Sequence, residues 1–475
     1  MLNIKRFEDN YYLADGKIVD KWDATLHLLP FNLNPSTSGF DKSCGLSGTT
    51  GEFFRKWGRV EVKPIINFKN DVDEPVTSYL HDSGRMPREQ QNEFIKVVED
   101  ILYPDNKMSV IDATFLPYLP LVDGYSQGTR AANKYSDGQK KLAEYLFSML
   151  EEKKMPKELR GESNLFSTSV RKGMERGSFS NIPGEGTYYI LPFVSKLFNQ
   201  DIKWLMGKED YVIVRYINYL LHFYACLSIS QTIAHIAYWE EYDENRIIPF
   251  YYMLSSEHAS ATRSVVECGW EKWVSKDVLQ KISARAQALD IFNTLTNKYP
   301  TGLFSQVIAK LGEDSFDENK EICESVLERY HNSKYDLLIN RSNITADDIY
   351  KDFDYSCQSY DEFFKKLTRL CVDFQSPEYK NRLEKKVKEL FEVKFLRNRK
   401  GLRVLVLDED ILIFLIAMLT KEKRMKLDEM YRIFNDYGIF FDINTRTAIE
   451  SQLTKLNLLD RKSDSGEAQY VKVIL

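Results

Sequence analysis

Residues 216–238 carry no formal charge. A run of that length leaves two architectures open: a membrane span, or a helix inside a large core. Its polar side chains decide between them. Asn218, His222, Ser228, Ser230, Gln231, Thr232 and His235 load the run too heavily for a bilayer, and Arg215 and Glu240 stand at its ends. The run is expected to be a buried core helix. His222 and His235 fall on different faces of such a helix, roughly 140° apart, so they cannot share a metal. Hydrogen-bonded burial is the expected fate of both.

The chain has 475 residues, more than one core usually serves, and 43% of them are hydrophobic. The fold class expected is mainly α and multi-domain, with a β-containing N-terminal region and a C-terminal winged-helix domain. The boundaries expected are a β- and loop-rich region at 1–86, a helical domain at 87–300, a second helical domain at 301–400 and the winged helix at 401–475. A hairpin turn at Asp15-Gly16, a Gly/Ser/Thr-rich loop at 34–51 and an alternating strand at 59–63 carry the first of these. Phe94, Val97, Val98, Ile101 and Leu102 mark a helix face in the second. The polar stretch 158–185 within it reads as a surface linker or mobile loop. In the third, Thr345-Ala346-Asp347-Asp348 reads as a capping box. Ser376-Pro377-Glu378 reads as a helix start, with that helix running into a basic cluster that Gly401 stops.

The net charge is -5 and the pI about 5.9, so the molecule lacks the overall basic footprint of a non-specific nucleic-acid binder. Six scattered cysteines include no Cys-x-x-Cys pair, which argues against a disulfide framework and a zinc cluster. The first nine residues hold no apolar signal-peptide core. A cytoplasmic location with reduced thiols is expected, with no membrane, no metal and no cofactor.

The tail has the most specific pattern. Asp408-Glu409-Asp410 opens an apolar helix, Arg424-Met425-Lys426 can form a short strand, and Leu427, Met430 and Phe434 share one face of a second helix. Asn444 or Thr445 caps a third, whose Ile449, Leu453 and Leu456 face inward. A hairpin closes the chain. A winged helix so built can enter a major groove with its third helix, and the exposed candidates are Arg446, Thr447, Ser451 and Lys455 there, with Arg461, Lys462 and Lys472 on the wing. Lys394, Arg397, Arg399, Lys400 and Arg403 would form a basic ridge beside it. From residue 411 to 475 ten Lys/Arg face nine Asp/Glu, a net of +1. That balance favours protein docking over DNA reading, and double-stranded DNA stays a candidate partner.

Other chemistry is thin. The segment 45–51 is glycine-rich but lacks the Gly-Lys-Ser/Thr ending that a phosphate loop needs. Glu61 and Lys63, with Asp41 upstream, resemble the carboxylate-and-lysine pattern of metal-dependent nucleases, but the same triplet recurs at Glu152/Lys154, Glu378/Lys380, Glu384/Lys386 and Glu392/Lys394. Ser256, Glu257 and His258 are consecutive and diverge, so they form no relay. Glu240, Glu241, Asp243 and Glu244 read as a solvated acidic loop.

Residues 402–475 are similar to the C-terminal end of the DptG family. The features are the strand Arg403-Val404-Leu405-Val406-Leu407, the apolar helix after it, the stretch Gly438-Ile439-Phe440-Phe441-Asp442, and the tail Ser463-Asp464-Ser465-Gly466-Glu467-Ala468-Gln469-Tyr470-Val471. The resemblance implies a non-catalytic subunit of a phosphorothioation-dependent, anti-phage restriction system. It implies other restriction subunits as partners, at least one a nucleotide-driven motor. The rival expectations are a winged-helix transcription regulator that reads DNA alone, and a nuclease subunit resting on Glu61 and Lys63.

Overall fold

The computed structural model describes residues 2–19, 28–31, 45–58, 60–62, 64–84, 86–121, 130–152, 155, 165–175, 180–181, 190–241, 244–274, 277–296, 302–311, 316–341, 353–375, 377–421, 423–461 and 469–474. It is mainly helical, with a few small sheets. Short α1 (Ile4–Tyr11) leads into a turn at Asp15-Gly16, closed by the Tyr12–Ile18 bridge. Then come α2 (Ser47–Gly58), β1 (Val60–Glu61), α3 (Glu74–Ser83), α4 (Arg88–Leu102), α5 (Arg130–Ser148), α6 (Leu165–Glu175) and β2 (Ser180–Asn181). The middle of the chain forms α7 (Pro192–Met206), α8 (Asp210–Ala237), β3 (Phe250–Leu254), α9 (Ser264–Glu267), α10 (Glu271–Val274) and α11 (Val278–Leu295). It continues with α12 (Phe304–Leu311), α13 (Phe316–Arg341), α14 (Tyr360–Asp373) and α15 (Pro377–Glu392). The remainder is β4 (Leu396–Arg399), β5 (Leu402–Leu407), α16 (Glu409–Thr420), β6 (Met425–Lys426), α17 (Leu427–Asp436), β7 (Ile439–Phe440), α18 (Ile443–Lys455), β8 (Leu459–Arg461) and β9 (Gln469–Val471).

The uncharged run is α8, and it is buried along nearly its whole length, as its composition predicts. Helices α2, α5, α7, α11 and α16 surround it. Helix α11 is the second axis of the core. Its Ala284, Ala286 and Ala288 are fully buried, and α14 and α15 pack against it. The polar groups of α8 are satisfied within the core. His222 Nε2–H donates to the Leu390 carbonyl at 3.0 Å. The Gln231 side chain does the work of a strand neighbour, accepting from Ile248 N at 2.9 Å and donating to Ile248 O at 2.8 Å.

Two sheets organise the second half. One has the order β4-β5-β3-β7. Strands β4 and β5 are an antiparallel hairpin whose two-residue turn, Lys400-Gly401, has positive φ at both positions. Strand β3 pairs in parallel with β5 on one side and with β7 on the other. The other sheet, β6-β9-β8, is antiparallel throughout.

Several expectations are corrected. Between residues 1 and 86 the described residues are chiefly helical, and only β1, two residues long, is a strand. Of the glycine-rich loop expected at 34–51, residues 34–44 lie outside the described residues, 45–46 form a turn and 47–51 open α2. Its glycines serve close packing: a Cβ on Gly48 would lie 2.4 Å from the Leu121 carbonyl oxygen, and one on Gly51 2.5 Å from that of Leu119. Within the stretch 158–185, residues 165–175 form α6, whose Gly173 lies against the Val76 backbone of α3, and 180–181 form β2; the rest of the stretch lies outside the described residues. On α4 the buried face is Ile95, Val98 and Leu102, while Val97 and Ile101 point outward. Helix α15 stops at Glu392, so the basic cluster after it lies on the β4–β5 hairpin and not on a helix end. The capping box at 345–348, Ser376, the acidic residue Asp243 and the turn 463–466 lie outside the described residues.

Candidate docking and nucleic-acid interface

The tail's helices and closing ribbon follow the expected order, with an unexpected strand, β7, between α17 and α18 that pairs with β3. Asp408 stands at the start of α16 without a side-chain hydrogen bond into the helix, and the residues from Ile411 to Thr420 are almost all buried. Leu427, Met430 and Phe434 of α17 face inward together. The cap of α18 is Asp442, which accepts from Thr445 N at 2.9 Å; neither Asn444 nor Thr445 plays that part, because the helix begins at Ile443 and both lie inside its first turn. Ile449 and Leu453 reach the core as expected, but Leu456, also expected to face inward, is exposed because α18 ends at Lys455 just before it. Thr447, Ser451 and Thr454 face outward, as expected.

The candidate phosphate contacts are largely engaged by the protein itself. Arg397 reaches Asp408 at 3.3 Å and donates to the Glu392 and Leu396 carbonyls. Arg399 donates to the Ser255 carbonyl. Arg403 approaches Glu384 at 4.0 Å, and Lys394 lies over the Tyr219 ring. Arg446 lies 5.0 Å over the Tyr431 ring, while the Tyr431 hydroxyl donates to the Arg446 carbonyl. On the ribbon, Asp460 takes both Lys472 at 3.2 Å and Arg424 at 3.0 Å. Lys400 at the hairpin tip and Lys455 on α18 are exposed and have no ion-pair partner among the described residues. The Arg461 side chain and Lys462 lie outside the described residues, as do Asp41, Lys63 and the Glu61 side chain.

Two polar clusters hold this region to the body, and neither has a local sequence signature. Arg263 grips Asp442 through two bonds, Nε to Oδ2 at 2.9 Å and Nη2 to Oδ1 at 2.8 Å. The same guanidinium reaches Glu257 at 2.8 Å, Thr445 Oγ1 at 2.9 Å and the His258 carbonyl at 2.8 Å. Burial pushes the Asp442 carboxyl up, but the Arg263 and Thr445 hydrogen bonds outweigh it, so the group stays below its ordinary range. The start of α18 is thus pinned to the loop after β3. The second cluster centres on Asp201 of α7, fully buried. It accepts from the Tyr224 hydroxyl at 2.5 Å and the Tyr437 hydroxyl at 2.8 Å, and pairs with Lys421 at 3.1 Å. Acid–base spacing on one chain segment could not reveal either cluster, because the partners are as much as 236 residues apart.

At the start of α18 stands Ile443, 83% exposed. Half-buried Tyr251 and Phe440 meet on β3 and β7, their rings tilted by 44° with centroids 5.7 Å apart. Among the described residues no group of three or more His, Cys, Asp or Glu side chains comes together as metal ligands. His235 is buried, its Nδ1–H donating to the Gln231 carbonyl at 2.7 Å. Comparison with protein-family models and with curated proteins finds no match.

Proposed function

We propose that this chain is a non-catalytic, cytoplasmic subunit of a phosphorothioation-dependent restriction complex, and that its C-terminal winged helix docks a partner subunit. The resemblance of residues 402–475 to the DptG family supplies the system and the partners: other restriction subunits, at least one of them a nucleotide-driven motor. The order α16, β6, α17, β7, α18, β8, β9, with β6 beside β9 in one antiparallel sheet, supports the winged-helix reading, while β7 between α17 and α18 joins β3 of the body instead. Fold alone does not choose between DNA and protein.

One observation carries docking over groove reading: the destination of the positive charge. Groove binders leave Lys and Arg free for phosphate. Here Arg397, Arg424 and Lys472 pair with carboxylates of the same chain, and Arg403 lies near Glu384. The third helix opens instead on an exposed isoleucine. Large apolar side chains at such positions are worth more against a protein pocket than against a phosphate backbone. The second reading, contact with double-stranded DNA, rests on exposed Lys400 and Lys455.

The test is co-purification of the tagged chain from a host that carries the restriction and modification genes. Two large partners should follow the parent chain, and Ile443→Asp should reduce their recovery. That variant keeps the helix start, where a carboxylate is favourable. Recovery of the parent as a lone monomer overturns the proposal. For DNA, Lys400→Glu with Lys455→Glu should leave the dependence of binding on salt unchanged if docking is the role; a shallower slope would assign phosphate contact to these lysines.

A further inference from the structure

Helix α4 lies far along the chain from the tail, and its outer surface has no assigned role. Val97 is 48% exposed and Ile101 41%. They are one helical turn apart, and half-buried Phe94 continues the same stripe, its ring 5.5 Å from Phe166 on α6. Single exposed aliphatics are ordinary. A stripe of three that runs out of the core is less so.

The rim gives the stripe a polarity. At 100° per residue, Glu89, Glu93 and Asp100 line its free edge, and Phe166 closes the opposite edge. All three carboxylates are exposed, and none has an ion pair or hydrogen bond among the described residues. Lys96, also exposed, lies within reach of the same edge and is equally uncommitted. An apolar strip whose border carries three carboxylates against one lysine keeps a net negative edge, and it complements one kind of surface: an amphipathic helix whose apolar face is bordered by Lys or Arg.

We propose that α4 is a second docking surface, and that its occupant is a basic amphipathic helix of a partner protein. The apolar stripe would supply the buried contact, and the carboxylates the orientation and the choice of partner. This goes beyond the reading of the tail and stands whether or not α18 docks anything.

The test uses the full chain and a fluorescent synthetic peptide with leucines along one helical stripe and lysines along its border. Saturable binding is expected by anisotropy. Val97→Ser with Ile101→Ser should weaken it at least about tenfold, as should Glu93→Gln with Asp100→Asn. Both pairs change exposed side chains, and circular dichroism checks that the fold is kept. Glu318→Gln with Glu321→Gln on α13 should leave binding unchanged. Parent-like affinity in either α4 variant overturns the proposal. So does an equal loss in the α13 variant, or equal binding by a peptide whose leucines are replaced by serine, since both would mean attraction to acid in general.

Discussion

At the scale of single residues, buried charge explains conformations that backbone preference opposes. Lys421 follows the last turn of α16 with φ +42°, a left-handed position where glycine is cheap and a lysine costs roughly 1 kcal/mol. What keeps lysine there is Asp201, whose buried carboxylate needs a cation. Lys421→Gly should therefore fail to stabilise. A loss of about 2 kcal/mol in urea unfolding is expected, at or below the low end for a broken buried pair because Lys421 is itself 35% exposed. A gain in stability would show that the pair carries nothing. His222 gives a pH signature. Burial lowers its pKa to about 3, so the folded state keeps it neutral while the unfolded chain takes up a proton below about 6.5. Between those values the unfolded state binds more protons, and stability falls as pH falls, on the order of 1 kcal/mol per pH unit from this residue. His222→Gln should be less stable than the parent at neutral pH and should flatten the decline between pH 6 and 4. Parallel pH profiles for variant and parent would remove His222 as its source.

At the scale of elements, the tail was the legible part, and the reason is local. Alternation and helical spacing place Leu427, Met430, Phe434, Ile449 and Leu453 without help from the rest of the chain. The N-terminal half resisted because its punctuation has distant causes. Gly48 and Gly51 look like loop residues, yet each is needed for an approach to residues some seventy positions away, at Leu119 and Leu121. The basic cluster after α15 looks like a helix end, but Lys400 accepts positive φ beside Gly401 and the chain turns back as a hairpin. The clamp at Arg263 was invisible because its carboxylates come from two places, Glu257 and Asp442. One substitution separates the two views of α2. In a free loop Gly51→Ala is harmless or stabilising. Inside a packed helix the added methyl meets the Leu119 backbone, and a loss of about 1–3 kcal/mol should appear in thermal unfolding. Gly207→Ala, where the nearest heavy atom to a new Cβ is 3.5 Å away, is the matched control and should change little.

At the scale of the molecule, the question is whether the tail is a separate body. The boundary expected near residue 400 falls inside the β4–β5 turn, so pairing from Leu396 to Leu405 crosses it. Strand β3, from the middle of the chain, lies between β5 and β7, and one buried cluster runs from Leu2 to Val471. Asp201 and Arg263 add polar ties between the same two regions. Separating them would expose the buried face of α16, unpair both sides of β3 and leave two buried ionic groups without partners, a cost far above that of opening a hinged domain. Native-state hydrogen exchange reads this directly. Amides in the middle of α16 and of α8 should show the same opening free energy and the same dependence on denaturant, as members of one cooperative unit. If α16 exchanges through an opening that leaves α8 protected, the tail moves as a unit of its own. Docking by α18 would then present a mobile arm to the partner instead of a fixed corner of the core.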